Sequence, residues 1–192
     1  MNRLLFLVAI AASILAIILA SFQKDDLIKY IEGQQYEKLN DYTTEVTYAA
    51  RDMDIDEFNS LNGSWLFESF LSETNHSVFV SDGDKWVYWS TNQINPKIAN
   101  EDCDSFIRLL YSPTGHDFVV FRSNKNYKFY FVSHLKNNAA LTESHPELLP
   151  EAPYDDWVLS SSISNEGVQL FSENGDFILN AIVPKLQTSK LL

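Results

Sequence analysis

The sequence predicts an α+β fold in which a long amino-terminal helix packs on a mainly antiparallel sheet. Residues 24–60 contain no proline, and from Leu39 onward their apolar side chains recur at steps of three and four, which indicates a helix. From residue 77 onward, short apolar stretches alternate with turn pairs such as Asp-Gly and Asn-Gly, which indicates strands joined by hairpins. The 192 residues fit one domain with an appendage, and thirteen Phe, nine Tyr and four Trp are enough to fill its core.

The amino terminus carries an apolar segment with the properties of a membrane anchor. Residues 4–20 contain a single polar side chain, Ser13. The stretch exceeds the roughly 7–15 apolar residues of a cleaved signal peptide, and a cut after Ala20 would put the bulky Ile18 where a small residue is required. As a helix that continues two residues further, it measures about 28 Å and reaches across the hydrocarbon core. We therefore predict an uncleaved transmembrane signal anchor at residues 1–22, with a cleaved signal peptide as the alternative.

The charge that flanks this segment predicts its orientation. Arg3 and the terminal amine favour the cytoplasmic side, because positively charged flanks stay inside. Residues 23–192 are then expected to form an extracytoplasmic, periplasmic domain that a single pass attaches to the cell membrane. The first predicted partner of the chain is therefore the membrane itself.

The long helix carries an apolar stripe that admits two interpretations. From Leu39 to Met53 the stripe advances by steps of 3, 4, 3 and 4 residues. Such a stripe either packs on the sheet of its own domain or forms a parallel homodimer along residues 28–53. The polar Gln35 at one stripe position weakens the homodimer.

After a short second helix predicted at residues 65–71, the pattern changes from the period of a helix to that of strands. Two strands within residues 77–90 form a hairpin around an Asp-Gly pair, and a polar connection follows at 91–104. A meander of three strands comes next, and a proline-rich loop at 136–153 separates it from three further strands. The strands predicted after the hairpin are residues 106–111, 117–122, 127–134, 157–163, 167–172 and 176–183.

Charge and residue spacing exclude several classes of function. A formal net charge of −12 opposes binding to phosphate backbones, so we expect no nucleic-acid partner. The single cysteine, Cys103, cannot form a disulfide within the chain or a thiolate zinc site. The acidic run at 52–57 lacks the glycine and the twelfth-position glutamate of a calcium loop, and we predict a solvated face there.

The histidines do not form a recognisable catalytic or metal set. They occur on different predicted elements and at no metal-ligand spacing, and each is predicted to be a surface or edge residue. The signatures of nucleotide, dinucleotide and nucleophilic-serine sites are absent. We therefore predict no catalytic residue, no metal site and no cofactor. The four histidines are His76, His116, His134 and His145.

Aromatic side chains crowd the hairpin predicted within residues 77–90. Strand alternation puts Trp86 and Tyr88 on one face and Trp89 on the other. In one interpretation these rings pack the sheet against the long helix. In the other they line a small pocket in which a ligand stacks on the rings and hydrogen-bonds to the neighbouring polar groups. The candidate ligand-binding residues are Trp86, Tyr88, Trp89, Ser90 and Asn92.

Residues 82–92 read Asp-Gly-Asp-Lys-Trp-Val-Tyr-Trp-Ser-Thr-Asn. This segment resembles a strand motif, dg-x-L-v-y-W-S-d-N, of the extracytoplasmic sensor region of membrane-bound bacterial sensor histidine kinases. Trp89, Ser90 and Asn92 match the motif, whereas Thr91 stands where the motif has an acidic residue.

The order of the predicted elements over residues 24–135 is similar to the PAS-like or Cache-like sensor fold. The resemblance implies a part in two-component signal transduction, in which the domain binds a small ligand or a partner protein and the long helix moves in response. The phosphoacceptor helix and the ATP lid of such kinases are absent from the sequence, so we expect a sensor domain without the kinase core.

Two functions of other classes stay open on sequence alone. The first is a single-pass structural or interaction protein of the envelope, which takes no small ligand and whose partner docks on exposed aromatic side chains. The second is an exported enzyme, which would require two carboxylates from distant segments to converge in a cleft.

Overall fold

The computed structural model describes residues 2–58, 63–73, 75–91, 105–112, 114–138, 152–154 and 156–183, and within residues 2–25 it describes the side chain of Ser13 alone. The chain divides into two compact units, one of residues 1–38 with 185–192 and one of residues 39–184. The predicted domain boundary at residues 22 and 23 concerns membrane insertion, which this division does not test.

The first unit contains the beginning of helix α1, which runs without interruption from Asn2 to Asp52. The long amino-terminal helix is therefore confirmed. Among the helices of the described residues, none combines the length and the apolar character that a membrane span requires. Nearly all side chains of the predicted anchor at residues 1–22 lie outside the described set, and the anchor stays a prediction.

In the second unit, two residues of the predicted stripe of α1, Leu39 and Val46, are buried two turns apart. Ala50, one turn beyond Val46, is buried in place of the predicted Ala49. This part of the stripe therefore packs on its own domain, as the first of the two interpretations predicted. The homodimer along residues 28–53 stays a prediction.

Helix α1 ends eight residues before the limit of the predicted helical stretch 24–60. A short 3-10 turn, Ile55–Glu57, follows, and the Asp54 side chain caps it by accepting a hydrogen bond of 3.2 Å from the Asp56 amide. Aspartate competes with a helix by bonding to nearby backbone amides, which explains the local break. The acidic side chains of this run are exposed, so the predicted solvated face is confirmed.

The predicted helix at 65–71 is instead two single turns, α2 at Gly63–Leu66 and α3 at Glu68–Leu71. Phe67 lies between them with a backbone outside the helical region and a fully buried ring. That ring contacts Phe58 and the sheet, so tertiary packing overrides the helical pattern at this residue.

Five strands form the larger sheet, and its order is β2-β1-β5-β4-β3 with every pair antiparallel. The predicted hairpin is β1 with β2, and Gly83 at its turn has a φ of 57°, a conformation that glycine adopts without strain. The predicted meander is β3, β4 and β5 in succession. The strands are β1 His76–Asp82, β2 Lys85–Trp89, β3 Ser105–Tyr111, β4 Gly115–Ser123 and β5 Lys128–Asn137.

The last three strands form a second sheet, with order β6-β8-β7 and antiparallel pairs. The sequence predicted these strands but a single central sheet, because strand patterns do not specify which strands pair. The Asn-Gly turn between β7 and β8 is confirmed, and Gly175 has a φ of 84° there. The strands are β6 Val158–Ser160, β7 Val168–Phe171 and β8 Phe177–Ile182.

The larger sheet has two differently packed faces. One face carries Phe129 and Phe131, whose rings lie 6.3 and 5.8 Å from the ring of Phe67. The opposite face carries a separate buried cluster. Its members are Phe79, Val119, Phe121, Tyr130 and Val132, with Trp86, Phe106 and Leu110 packed against them.

A β-bulge in the hairpin overturns the predicted faces of its aromatic residues. Val80 pairs with Tyr88 and Ser81 with Trp86, so β2 uses one residue more than β1 at this point. The Trp86 ring therefore lies 5.6 Å from that of Tyr130 on one face, whereas Tyr88 lies 5.5 Å from Phe67 on the other. The prediction that Trp86 and Tyr88 share a face is wrong, because the extra residue shifts the alternation by one.

Candidate functional site

The structure distributes the predicted hairpin site over two faces. Trp86 and Tyr88 both pack into the interior from opposite sides of the sheet, so a single pocket cannot use both rings. Trp89 is 52% exposed. Ser90 uses its hydroxyl oxygen to accept from the Val78 amide at 2.9 Å, which extends the hairpin pairing. Asn92 lies outside the described residues, and ligand binding at this hairpin stays a prediction.

A different concave site lies where α1 ends against the sheet. A cavity of about 240 Å³ opens there between the helix end, strands β3 and β4, and the turn between β7 and β8. A smaller hollow of about 50 Å³ lies beside α1 and shares Arg51, Ile107 and Ser172 with the larger cavity. We call the larger cavity the helix-end groove. It is lined by Arg51, Ser105, Phe106, Ile107, Val120, Phe121, Arg122, Ser172, Asn174 and Asp176.

Arg122 connects the groove to the end of α1. Its Nη1 donates to the carbonyl oxygens of Ala50, Arg51 and Met53 at 2.7, 2.9 and 2.7 Å. The last carbonyls of a helix lack partners within the helix, and a cation beside them is favoured by the helix dipole. A side chain of β4 therefore holds the carboxyl end of the helix in place.

A second connection joins α1 to the turn between β7 and β8. Arg51 Nη1 donates to Glu173 Oε2 at 2.9 Å, and the Tyr48 hydroxyl donates to the other carboxylate oxygen. These two hydrogen bonds lower the pKa of Glu173, because they favour the charged carboxylate. The Arg51 and Glu173 side chains are 38% and 56% exposed, so solvent and salt weaken this pair.

A half-buried polar network holds α1 further along its length. The His76 Nδ1 lies 3.2 Å from the Phe70 carbonyl oxygen, which can only accept, so Nδ1 carries the proton. The Tyr42 hydroxyl then donates to His76 Nε2 at 3.0 Å, and Asn75 Nδ2 donates to the Tyr42 oxygen. Burial lowers the pKa of His76, which keeps the ring neutral.

His134 belongs to a second polar network, which is fully buried. Its position differs from the one predicted. Its Nδ1 lies 2.6 Å from Asp117 Oδ1, and its Nε2 lies 3.1 Å from Asn137 Oδ1. The His134 and Asp117 side chains are 0% and 1% exposed, so the predicted surface or edge position of His134 is wrong. The two residues face each other across β4 and β5, where each supplies a partner that burial requires. His145 and Cys103 lie outside the described residues.

The groove could not be found in the sequence because its lining comes from four separate segments. The one local signal was the turn that contains Glu173 and Asp176, which was predicted as a hairpin and nothing more. Arg122 lies at the end of a strand pattern. No motif marks it as the residue that bonds to helix carbonyls 72 and 71 positions earlier in the chain. The polar groups that the groove offers for binding are two guanidinium groups, two hydroxyls, an amide and the carboxylate of Asp176.

Comparisons with known proteins give no family: no family model, no curated protein and no solved structure matches the chain.

Proposed function

We propose that this chain is a membrane-anchored, extracytoplasmic signal-sensing domain of the histidine-kinase type, without the kinase core. Residues 39–184 would bind a small ligand in the helix-end groove, and α1 would carry the response. One observation carries this proposal. The groove lies at the end of α1, and its wall contains Arg122, the side chain that bonds to the last carbonyls of that helix.

A ligand at this position acts on the helix through the groups that hold it. Filling the groove changes the surroundings of Arg122 and Arg51, and both touch the carboxyl end of α1 or belong to it. The helix responds only if the ligand binds one arrangement of this end more tightly than another. The exposed pair of Arg51 with Glu173 is the contact that a ligand rearranges at the least cost.

The sheet supports the sensor interpretation at the level of topology. The hairpin joins the meander through β1 and β5, so the first and last strands of the sheet are central neighbours. With a long helix before the first strand, this order agrees with the PAS-like or Cache-like arrangement that the resemblance implies. Fold likeness alone does not assign a function, so the ligand experiment decides.

The experiment is a thermal unfolding screen of the full chain against small molecules. The panel contains sugars, nucleosides, amino acids, carboxylates and phosphates. Ile107→Trp fills the floor of the groove, and Ile163→Trp adds the same ring at a residue that is 66% exposed and outside the groove. A ligand at about 100 times its Kd adds about 2.7 kcal/mol to the free energy of unfolding.

We expect at least one compound to raise the melting temperature of the wild type and of Ile163→Trp but not of Ile107→Trp. A panel that shifts none of the three proteins would overturn the proposal. So would a compound that shifts Ile107→Trp as much as the wild type, because binding would then lie elsewhere.

A second candidate is the single-pass envelope interaction protein. Trp65 and Trp89 are 65% and 52% exposed, and large exposed aromatic side chains often mark partner contacts. Such a protein takes no small ligand. A panel without effect, together with weakened binding of a purified envelope partner by Trp65→Ser or Trp89→Ser, would favour this function over the sensor.

A further inference from the structure

His76 links helix α1 to the start of β1. Its ring stacks on that of Phe70 at a centroid distance of 4.6 Å, and its Nδ1 donates to the Phe70 carbonyl oxygen. Its Nε2 accepts from the hydroxyl of Tyr42 on α1 at 3.0 Å. A histidine nitrogen accepts a hydrogen bond only while it carries no proton, so this contact with α1 requires the neutral ring.

We propose that His76 is an acid-sensitive latch, in which protonation of the ring breaks the hydrogen bond from Tyr42 and loosens the packing of residues 39–50 of α1. The latch shares no residue with the helix-end groove and acts without a ligand. It therefore goes beyond the proposed function and does not depend on it.

Protonation of the ring brings two donors face to face. The charged ring is a donor at both nitrogens, whereas the Tyr42 hydroxyl already donates to Nε2. The Tyr42 oxygen also accepts from Asn75 Nδ2, which holds the hydroxyl group from another side. The His76 ring is half-buried, and a charge in such a position costs free energy that the neutral ring does not. The protonated ring is therefore driven away from Tyr42 and towards water.

Two carboxylates beside the latch give the charged ring a partner outside it. Burial lowers the pKa of His76, whereas the Phe70 carbonyl and the carboxylates of Glu73 and Glu45 act in the opposite direction. Glu45 lies on α1, and Glu73 follows α3. Both residues are exposed, so a charged ring that leaves its position meets opposite charge beside water.

The tyrosines at the latch keep their protons when the pH falls. Burial raises the pKa of Tyr42, and it raises the pKa of Tyr154, whose ring lies 5.9 Å from that of Tyr42, to about 12. The reference pKa of histidine is about 6.5, and burial moves the pKa of His76 below it. The latch is therefore closed at neutral pH, and His76 is the group at this position that becomes charged as the pH falls below about 6.5.

The test measures amide hydrogen exchange of the full chain at neutral pH and at about pH 5. His76→Gln replaces the ring by a neutral amide that takes up no proton in this range. His116→Gln removes the other half-buried histidine whose pKa is lowered by burial, and it is the matched control. Amides of residues 39–50 report on α1, and those of β4 and β5, two central strands, report on unfolding of the domain as a whole.

In the wild type and in His116→Gln, exchange of residues 39–50 relative to β4 and β5 should increase by about tenfold on acidification, after correction for the chemical exchange rate. In His76→Gln we expect the same ratio to change by less than about twofold. If His76→Gln fails to fold, Tyr42→Phe takes its place. This variant has no hydroxyl at the latch, so exchange of residues 39–50 should be fast and equal at both pH values.

The latch is overturned if residues 39–50 and the two strands accelerate together, because acid would then act on the whole domain. It is also overturned if His76→Gln responds as the wild type does. Titration of the His76 ring by NMR without a change in the exchange of residues 39–50 would show that Tyr42 only reverses its hydrogen bond. None of these outcomes bears on the ligand panel for the helix-end groove, so the two proposals fail separately.

Discussion

Two side-chain pairs in the described part of the second unit have similar lengths and opposite surroundings. His134 and Asp117 lie 2.6 Å apart with side chains 0% and 1% exposed, whereas Arg51 and Glu173 lie 2.9 Å apart with side chains 38% and 56% exposed. The two pairs therefore differ in burial and not in length. Losing one partner of a buried pair leaves a polar group that water cannot reach, while an exposed partner is solvated at once.

The two pairs connect different parts of the fold, and rearranging the exposed pair costs less free energy than rearranging the buried one. The buried pair joins β4 to β5, two central strands of the larger sheet. The exposed pair joins α1 to a turn of the smaller sheet beside the helix-end groove. Under the proposed function, a ligand would rearrange the exposed pair for a small cost in free energy, and that end of the helix would be the one that responds.

The largest expected effect comes from breaking the buried pair. Asp117→Ala should lower the free energy of unfolding by about 2–3 kcal/mol, because the Nδ1 of His134 is then left without a partner in the core. Urea denaturation at neutral pH measures this effect by circular dichroism. Glu173→Ala is the control at the exposed pair, and we expect less than about 1 kcal/mol there. Equal losses in the two variants would show that burial does not control these pairs.

A second comparison removes a tyrosine hydroxyl at each of two positions on α1. Tyr42→Phe leaves His76 Nε2 and Asn75 Nδ2 without their partner in a half-buried network, which should cost about 1–3 kcal/mol. Tyr48→Phe removes an exposed hydrogen bond to Glu173 and should cost less than about 1 kcal/mol. Urea denaturation of both variants checks the difference, and a larger loss in Tyr48→Phe would contradict it.

Two half-buried histidines, His76 and His116, predict the direction of the pH dependence. Burial lowers the pKa of His76 and of His116 in the folded chain. The unfolded chain then binds more protons in the range below about pH 6.5, so stability is complete above that pH and is lost as the pH falls. The midpoint of urea denaturation should therefore decrease between neutral pH and pH 5, and less so in His76→Gln. A midpoint that rises on acidification would contradict this assignment.

Much of the fold could be predicted because it depends on local patterns. The Asp-Gly turn at Gly83 and the Asn-Gly turn at Gly175 marked two hairpins, and the alternation in β3, β4 and β5 marked the meander. What could not be predicted depends on contacts between distant residues. The end of α1 is held by Arg122, and the burial of His134 requires Asp117 on the neighbouring strand.

The candidate site shows the same limit of sequence reasoning. The faces of Trp86 and Tyr88 followed from alternation alone, and one extra residue in the bulge reversed one of them. The groove was missed because Arg51, Arg122 and Asp176 are brought together by the packing of a helix and two sheets. The periodicities of strands and helices do not predict contacts between distant segments, because each of these residues fits the pattern of its own element whether or not the others lie nearby.

The smallest effect on stability is the one that tests function. Glu173→Gln removes the charge that pairs with Arg51 and should change the free energy of unfolding by less than about 1 kcal/mol, with the difference fading at high salt. Released from Glu173, Arg51 can take another position in the groove whose wall it shares with Arg122. We therefore expect calorimetry to show a changed affinity for any compound of the panel that binds the wild type in the groove, with little change in the melting temperature of the free protein. An unchanged affinity would mean that the ligand does not rearrange the exposed pair, and Arg51 would then only hold the turn.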